Sequence, residues 1–251
     1  MSKWFKKYRH NKNARLRLFC FPYAGGNASI FEGWEKSLPD FVDVFAIQAP
    51  GRTVRFAEKP IASLHEKVSI LANEIQPYLD VPHVFVGHSN GALTAFELAR
   101  ELQLRNSGGT QLRHLVLSAK RAPHLPRRER IHDLPYEQFK EKLREFQATP
   151  VEILEQDELM QLLEPMLRAD FSLSETHTFR TDIQLESPTT LFWGDADHEV
   201  PKDDMLAWQD HVTREVQLIE FTGDHFFINH NRGEFLGHVR KIVEGSLGAM
   251  N

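Results

Sequence analysis

Three short stretches carry residue types whose order could perform nucleophilic catalysis. Residues 85–94 read FVGHSNGALT and centre Ser89 in a G-x-S-x-G pattern. A serine hydroxyl is a weak nucleophile until a base takes its proton during attack, and that base needs a third group to hold its tautomer. Downstream, TTLFWGDADHEVP offers Asp195 and Asp197, and VQLIEFTGDHFF offers His225 as the base. Serine, then acid, then histidine is the chain order of hydrolases that hold the nucleophile on a sharp strand-to-helix turn. Asp197 is the preferred acid, and spacing alone leaves Asp195 open. Asp224 reads as a loop residue, His88 as a neighbour of the turn, and His230 as a helix-surface residue.

An oxyanion formed at such a serine needs preorganised donors, usually two backbone N–H groups. Asn90, directly after the nucleophile, would supply one. Residues 21–26, FPYAGG, have the small side chains that let backbone approach a ligand, which makes the Ala24 N–H the second candidate. A plain Gly-Gly turn is the alternative reading of that stretch.

These residues need a frame. Apolar runs of strand length, rich in branched and aromatic residues, recur at 16–21, 42–48, 84–87, 112–118, 189–193 and 216–221. Helical spacing links Leu64, Val68, Leu71, Ile75 and Leu79, and again Leu93, Phe96, Ala99 and Leu102. Alternating strands and helices predict an α/β protein with a mostly parallel sheet covered on both faces. The candidate residues then fall at strand C-terminal ends, the edge where such sheets bind ligands. Between about 121 and 186 the alternation gives way to helical patterns without a convincing strand. This is an all-helical insertion, placed to cap that edge, with a packing-only subdomain as the alternative.

The chain has 251 residues and 41% hydrophobic residues, enough for a single domain over 15–251. Residues 1–17 hold seven Lys and Arg and no acid, leaving 23 basic against 35 acidic residues beyond. So acidic a body is a poor match for a polyphosphate backbone, and nucleic-acid binding is not expected. Residues 1–14 read as a basic, flexible arm. Cys20, the only cysteine, lies in an apolar run and reads as a buried core thiol. No stretch approaches the length of an apolar membrane span, so a cytoplasmic protein with no membrane partner is expected. No H-E-x-x-H pair and no suitably framed phosphate-binding glycine loop is found, so neither a metal nor a cofactor is expected.

The chain resembles the type II thioesterases that accompany modular polyketide and nonribosomal peptide synthetases, within the α/β-hydrolase fold. The likeness is carried by LFCFPYAGG, VFAIQAPGR ending at Arg52, FVGHSNGALTAFELAREL, SAKRAPH, IHDLP, ELMQLLEPMLRADFSLSET, GDADHEV and GDHFF, spanning about 16–227. It implies Ser89 as nucleophile, Asp197 rather than Asp195 as acid, His225 as base, and the insertion as a helical lid. The substrate would be an acyl or aminoacyl group on the phosphopantetheine of an acyl or peptidyl carrier protein, and the enzyme a monomer without its own cofactor. Many relatives have Met after the serine where this chain has Asn90, so acyl preference does not carry over. Carriers are usually acidic, which makes the N-terminal arm and Lys120, Arg121, Arg127, Arg128 and Arg130 a candidate docking patch. Competing readings are a medium-chain acyl-carrier-protein hydrolase of fatty acid synthesis, a general carboxylesterase and a non-catalytic scaffold.

Overall fold

The computed structural model describes residues 2–9, 11–105, 111–126, 129–146, 149–180 and 183–248. Six strands lie parallel: β2 (Leu16–Phe21), β3 (Val42–Ile47), β4 (His83–His88), β5 (Leu112–Ser118), β6 (Thr189–Gly194) and β7 (Gln217–Phe221). A seventh, β1 (Phe5–Lys7), pairs antiparallel with β3, and the sheet order is β1-β3-β2-β4-β5-β6-β7. The chain leaves β2 for β3 on one side and returns from β3 to β4 on the other. β2 and β4 therefore flank a topological switch point, where the loops at their C-terminal ends diverge and leave a crevice.

β3 and β4, inside the sheet, are buried along their whole length, as parallel strands covered on both faces must be, whereas in the edge strand β7 only Phe221 is buried. One face packs under α1 (Leu64–Glu74) and α2 (Asn90–Leu104), with Leu71, Phe96 and Leu98 in its core. The other packs under Phe31, Trp34 and the C-terminal helix, whose Phe235, Val239 and Val243 are buried. Cys20 is buried in this second core, as its apolar run implied.

The N-terminal segment corrects the expectation of a flexible arm. Trp4 and Phe5 are both 4% exposed, and Phe5 makes edge contacts with Phe19, Phe45 and Tyr78. Lys7 pairs with the buried Asp43 at 2.6 Å. Two aromatic side chains buried here supply the free energy that a purely basic tail lacks, about 2–3 kcal/mol each.

Among its described residues, the insertion between β5 and β6 is helical only in its middle. α3 (Tyr136–Glu145), the short α4 (Val151–Leu154) and α5 (Asp157–Glu175) are flanked by irregular chain. These helices enclose a small core of their own, with Ile131, Phe139, Leu143, Leu154, Met160 and Leu167. Of these three helices α5 joins the main core, through Leu173, as do Ala122 and Leu185 in the flanking chain. The chain closes with α6 (Lys202–Leu206), α7 (Phe227–His230) and α8 (Arg232–Gly248). Among the described residues no helix is long and apolar enough to cross a membrane.

Candidate active site

The turn between β4 and α2 holds Ser89 at φ 53°, ψ −122°, a region that side chains rarely occupy. Such strain costs about 1–3 kcal/mol and persists only where neighbours enforce it. A Cβ on Gly87 would sit 2.4 Å from the Gly91 carbonyl oxygen, and one on Gly91 would sit 2.0 Å from that of Phe21. The two glycines are therefore needed for close backbone approach, which wedges the start of α2 against β4 and β2. The Ser89 N–H is held by the Ser118 carbonyl at 2.8 Å.

Parallel register brings the other loops to the same edge. Phe21 pairs with Gly87, His88 with Ser118, Ser118 with Phe192, and Gly194 with Phe221. The loops that follow carry Ala24, Ser89, Asp197 and His225. His225 Nε2 lies 3.0 Å from Ser89 Oγ, and its Nδ1 lies 2.8 Å from Asp197 Oδ2. A carboxylate only accepts, so Nδ1 donates to Asp197 and Nε2 is left to accept from the serine hydroxyl. Asp197 Oδ1 accepts from the N–H groups of Glu199 and Val200, at 2.9 and 3.1 Å, which fixes the carboxylate. Asp197 and His225 are 5% and 8% exposed.

The charges around His225 pull in opposite directions. Burial favours the neutral ring, but the Asp197 hydrogen bond and the Glu199 and Asp197 charges outweigh it and raise the pKa above its ordinary value. His88 holds the same loop from behind. Its Nε2 donates to the His225 carbonyl at 2.8 Å, leaving Nδ1 to accept from Ser118 Oγ at 2.8 Å. Burial drives the His88 pKa well down, so it serves as a neutral strut. Asp195 accepts from the Gly223 N–H at 2.8 Å, Asp224 from the Phe226 N–H at 2.8 Å, and His230 is exposed on α7.

Ser89, Ala24 and Asn90 line one cavity of about 480 Å³, together with Phe146 at the end of α3 and Phe171 and Ser174 of α5. The first backbone N–H groups of a helix have no partner within it, so the N-terminus of α2 presents donors at the nucleophile. The Asn90 side chain is held at both ends. Its Nδ2 donates to the Asp170 carbonyl at 2.8 Å, and its Oδ1 accepts from Lys120 Nζ at 2.9 Å. Burial pulls the Lys120 pKa down to about 8, against the charges of Glu199 and Glu175. Lys120 therefore faces the cavity and drops out of the docking patch. Arg121 pairs with Asp204 at 2.9 Å and Arg130 with Asp133 at 3.1 Å. Arg127 and Arg128 lie outside the described residues.

One cluster beside the site has no counterpart among the sequence-based expectations. Arg52 and Asp170 form a buried two-pronged ion pair, and Asp170 Oδ2 also accepts from the Gly25 N–H at 2.8 Å. Both residues stand in the stretches that carry the resemblance, but nothing local in sequence joins them.

Comparison with known proteins bears on the family and the fold. Residues 16–243 match the thioesterase domain family. The chain is 41% identical over 237 residues to the gramicidin S biosynthesis protein GrsT of Aneurinibacillus migulanus, covering 94% of this chain and 92% of that one. Among solved structures it resembles ClbQ from the colibactin NRPS/PKS pathway, with a TM-score of 0.87 and 29% identity over 94% of this chain and all of that one. It likewise resembles the type II thioesterase BorB from the borrelidin biosynthetic cluster, with a TM-score of 0.86 and 29% identity over 97% of each chain. The sheet, its order and these neighbours make the fold that of the α/β-hydrolases. The protein belongs to the thioesterase domain family.

Proposed function

We propose that the protein is a type II thioesterase that hydrolyses acyl or aminoacyl groups from the phosphopantetheine arm of a carrier protein, freeing a polyketide or nonribosomal peptide synthetase of stalled chains. The supporting observation is the hydrogen-bonded series Ser89, His225, Asp197, whose serine lines a cavity shared with α5. Ser89 Oγ attacks the thioester carbonyl carbon while His225 Nε2 takes the hydroxyl proton and Asp197 stabilises the resulting imidazolium. The carbonyl oxygen gathers negative charge against the Ala24 and Asn90 N–H groups. The C–S bond then breaks, and the departing sulfur takes the proton from His225. A thiol with pKa about 8.5 leaves far more readily than an alcohol. Water gives a proton to His225, attacks the acyl-serine and releases the acid, and Ser89 recovers its proton. The insertion helices act as a lid that keeps bulk water from the acyl group.

Acyl preference follows from the polar Asn90 and Lys120 pair beside Ser89, which disfavours long saturated chains and so argues against the medium-chain hydrolase reading. The test is a panel of carrier proteins loaded with acetyl, aminoacyl and octanoyl groups, alongside oxygen esters of the same acids. Expected is faster release of acetyl and aminoacyl groups than of octanoyl, with the oxygen esters slow. In Asn90→Met the ratio of octanoyl to acetyl turnover rises by roughly ten-fold, the scale of a pocket contact. No turnover of any carrier-bound thioester would rule the proposal out.

A further inference from the structure

The triad makes no use of two motifs, the A-P-G-R run ending at Arg52 and L-R-A-D-F around Asp170. They lie 118 residues apart and meet as a buried pair, Arg52 Nη1 to Asp170 Oδ2 at 2.8 Å and Nη2 to Oδ1 at 2.7 Å. A buried ion pair rarely stabilises a fold more than apolar side chains of the same size would, so stability alone gives little reason for it. Its other contacts say more. Asp170 Oδ2 accepts from the Gly25 N–H at 2.8 Å, and Arg52 Nη1 donates to the Gly26 carbonyl at 2.8 Å. The backbone just past Ala24 is thus held through one donor and one acceptor. The Asp170 main-chain carbonyl accepts from Asn90 Nδ2 at 2.8 Å. One residue of α5 therefore touches the segments of both candidate oxyanion donors. Burial would raise the Asp170 pKa, but Arg52, Lys67 and the Gly25 N–H outweigh it and hold the carboxyl below its ordinary value.

We propose that Asp170 is a positioning residue for the oxyanion site: through it α5 sets the Ala24 backbone segment and the Asn90 side chain in one geometry, with Arg52 as the clamp. Seating of the insertion on the sheet and assembly of the oxyanion site are then one event. A shift of α5 at Asp170 unmakes the site without touching Ser89 or His225. The inference rests on the reading of Ala24 and Asn90 as oxyanion donors given above.

The test compares two double variants with wild type. Arg52→Met with Asp170→Leu removes both charges together and leaves the Gly25 N–H without its acceptor, an exchange that buried pairs often tolerate in folding. Turnover of an acyl-pantetheine thioester is expected to fall by about 100-fold in kcat, the scale of losing an oxyanion donor. KM should stay within about three-fold, since the loss falls on the transition state. The inhibition constant of a trifluoromethyl ketone analogue, which forms the same tetrahedral oxyanion, should rise in step, while the pH limb set by His225 stays in place. Arg52→Met with Asp170→Asn returns an amide oxygen to the Gly25 N–H and should recover roughly ten-fold of the lost rate. Wild-type kcat and inhibitor affinity in the folded leucine variant would overturn the proposal, as would equal losses in both variants. Should the leucine variant not fold, Arg52→Lys decides: it keeps the charge but loses the fork, so kcat should drop at constant KM, and an unchanged kcat overturns the proposal. A wild-type chain without thioester turnover would sink the functional reading and this inference together. Normal wild-type turnover with unaffected variants would sink this inference alone.

Discussion

In the proposed mechanism His225 works as a base only when its ring is neutral, and its surroundings favour the charged form. Burial opposes the imidazolium, but the Asp197 hydrogen bond and the charges of Glu199 and Asp197 prevail and raise its pKa. Because the neutral form is the active one, activity is lost as pH falls through the raised value. The acid limb of kcat/KM is therefore expected above about pH 6.5, the ordinary histidine value. Glu199→Gln removes one of the charges that raise the pKa, so the limb should move to lower pH. Steady-state rates across pH for the two proteins check this. A limb at or below the ordinary value, or one unmoved by Glu199→Gln, would contradict the electrostatic account. At this scale Ser89, His225 and the two aspartates were legible in sequence as candidates, because each follows a strand and the order is characteristic, but spacing left Asp195 open beside Asp197, and the contact with His225 distinguishes the two. Asn90 was legible as an anomaly, and its tie to Lys120 was not, since the partner comes from another strand end.

Among the elements, the strand at the sheet edge changes most between sequence and structure. β1 is three residues long and two of them are lysines, a composition that blunts an edge against further pairing and reads in sequence as a tail. Trp4 and Phe5 carried the opposite signal, and the Arg55 guanidinium lies 4.6 Å from the centre of the Trp4 ring. Phe5→Ala removes a side chain 4% exposed, so it should cost about 3 kcal/mol. For a chain of this size that lowers the melting temperature by roughly 5–10 °C. Thermal unfolding followed by circular dichroism measures it, with kcat unchanged because β1 is an edge strand separated from β4 by β3 and β2. An unshifted melting temperature would mean β1 is not docked. The inner parallel strands were legible because buried strands read as continuous apolar runs, and two of them, β2 and β5, have the bounds the sequence predicted. α8 escaped notice although Phe235, Val239 and Val243 step by four, since Gly233, Gly237 and Gly245 weaken its helical pattern. The Arg52 and Asp170 clamp was illegible for another reason: charged residues in sequence carry no mark of burial.

Taken whole, the described residues form one sheet whose C-terminal edge gathers the loops of the candidate site, beside an insertion that has a core of its own and contributes to the cavity lining. That division suits the proposed work: the sheet fixes the triad, while the separate helical core spans the cavity where the acyl group would lie. The acidic balance beyond residue 17 and the withdrawal of Lys120 into the cavity leave docking of the proposed carrier to other groups. The central claim, that Ser89 releases acyl groups from a carrier's pantetheine thiol, is tested most directly by the intact mass of an acyl-loaded carrier protein followed over time. With wild-type enzyme the carrier mass should fall by that of the acyl group and return to the free thiol form, while with Ser89→Ala it should change only at the rate seen without enzyme. Equal release by both proteins, or none by the wild type, would contradict the account.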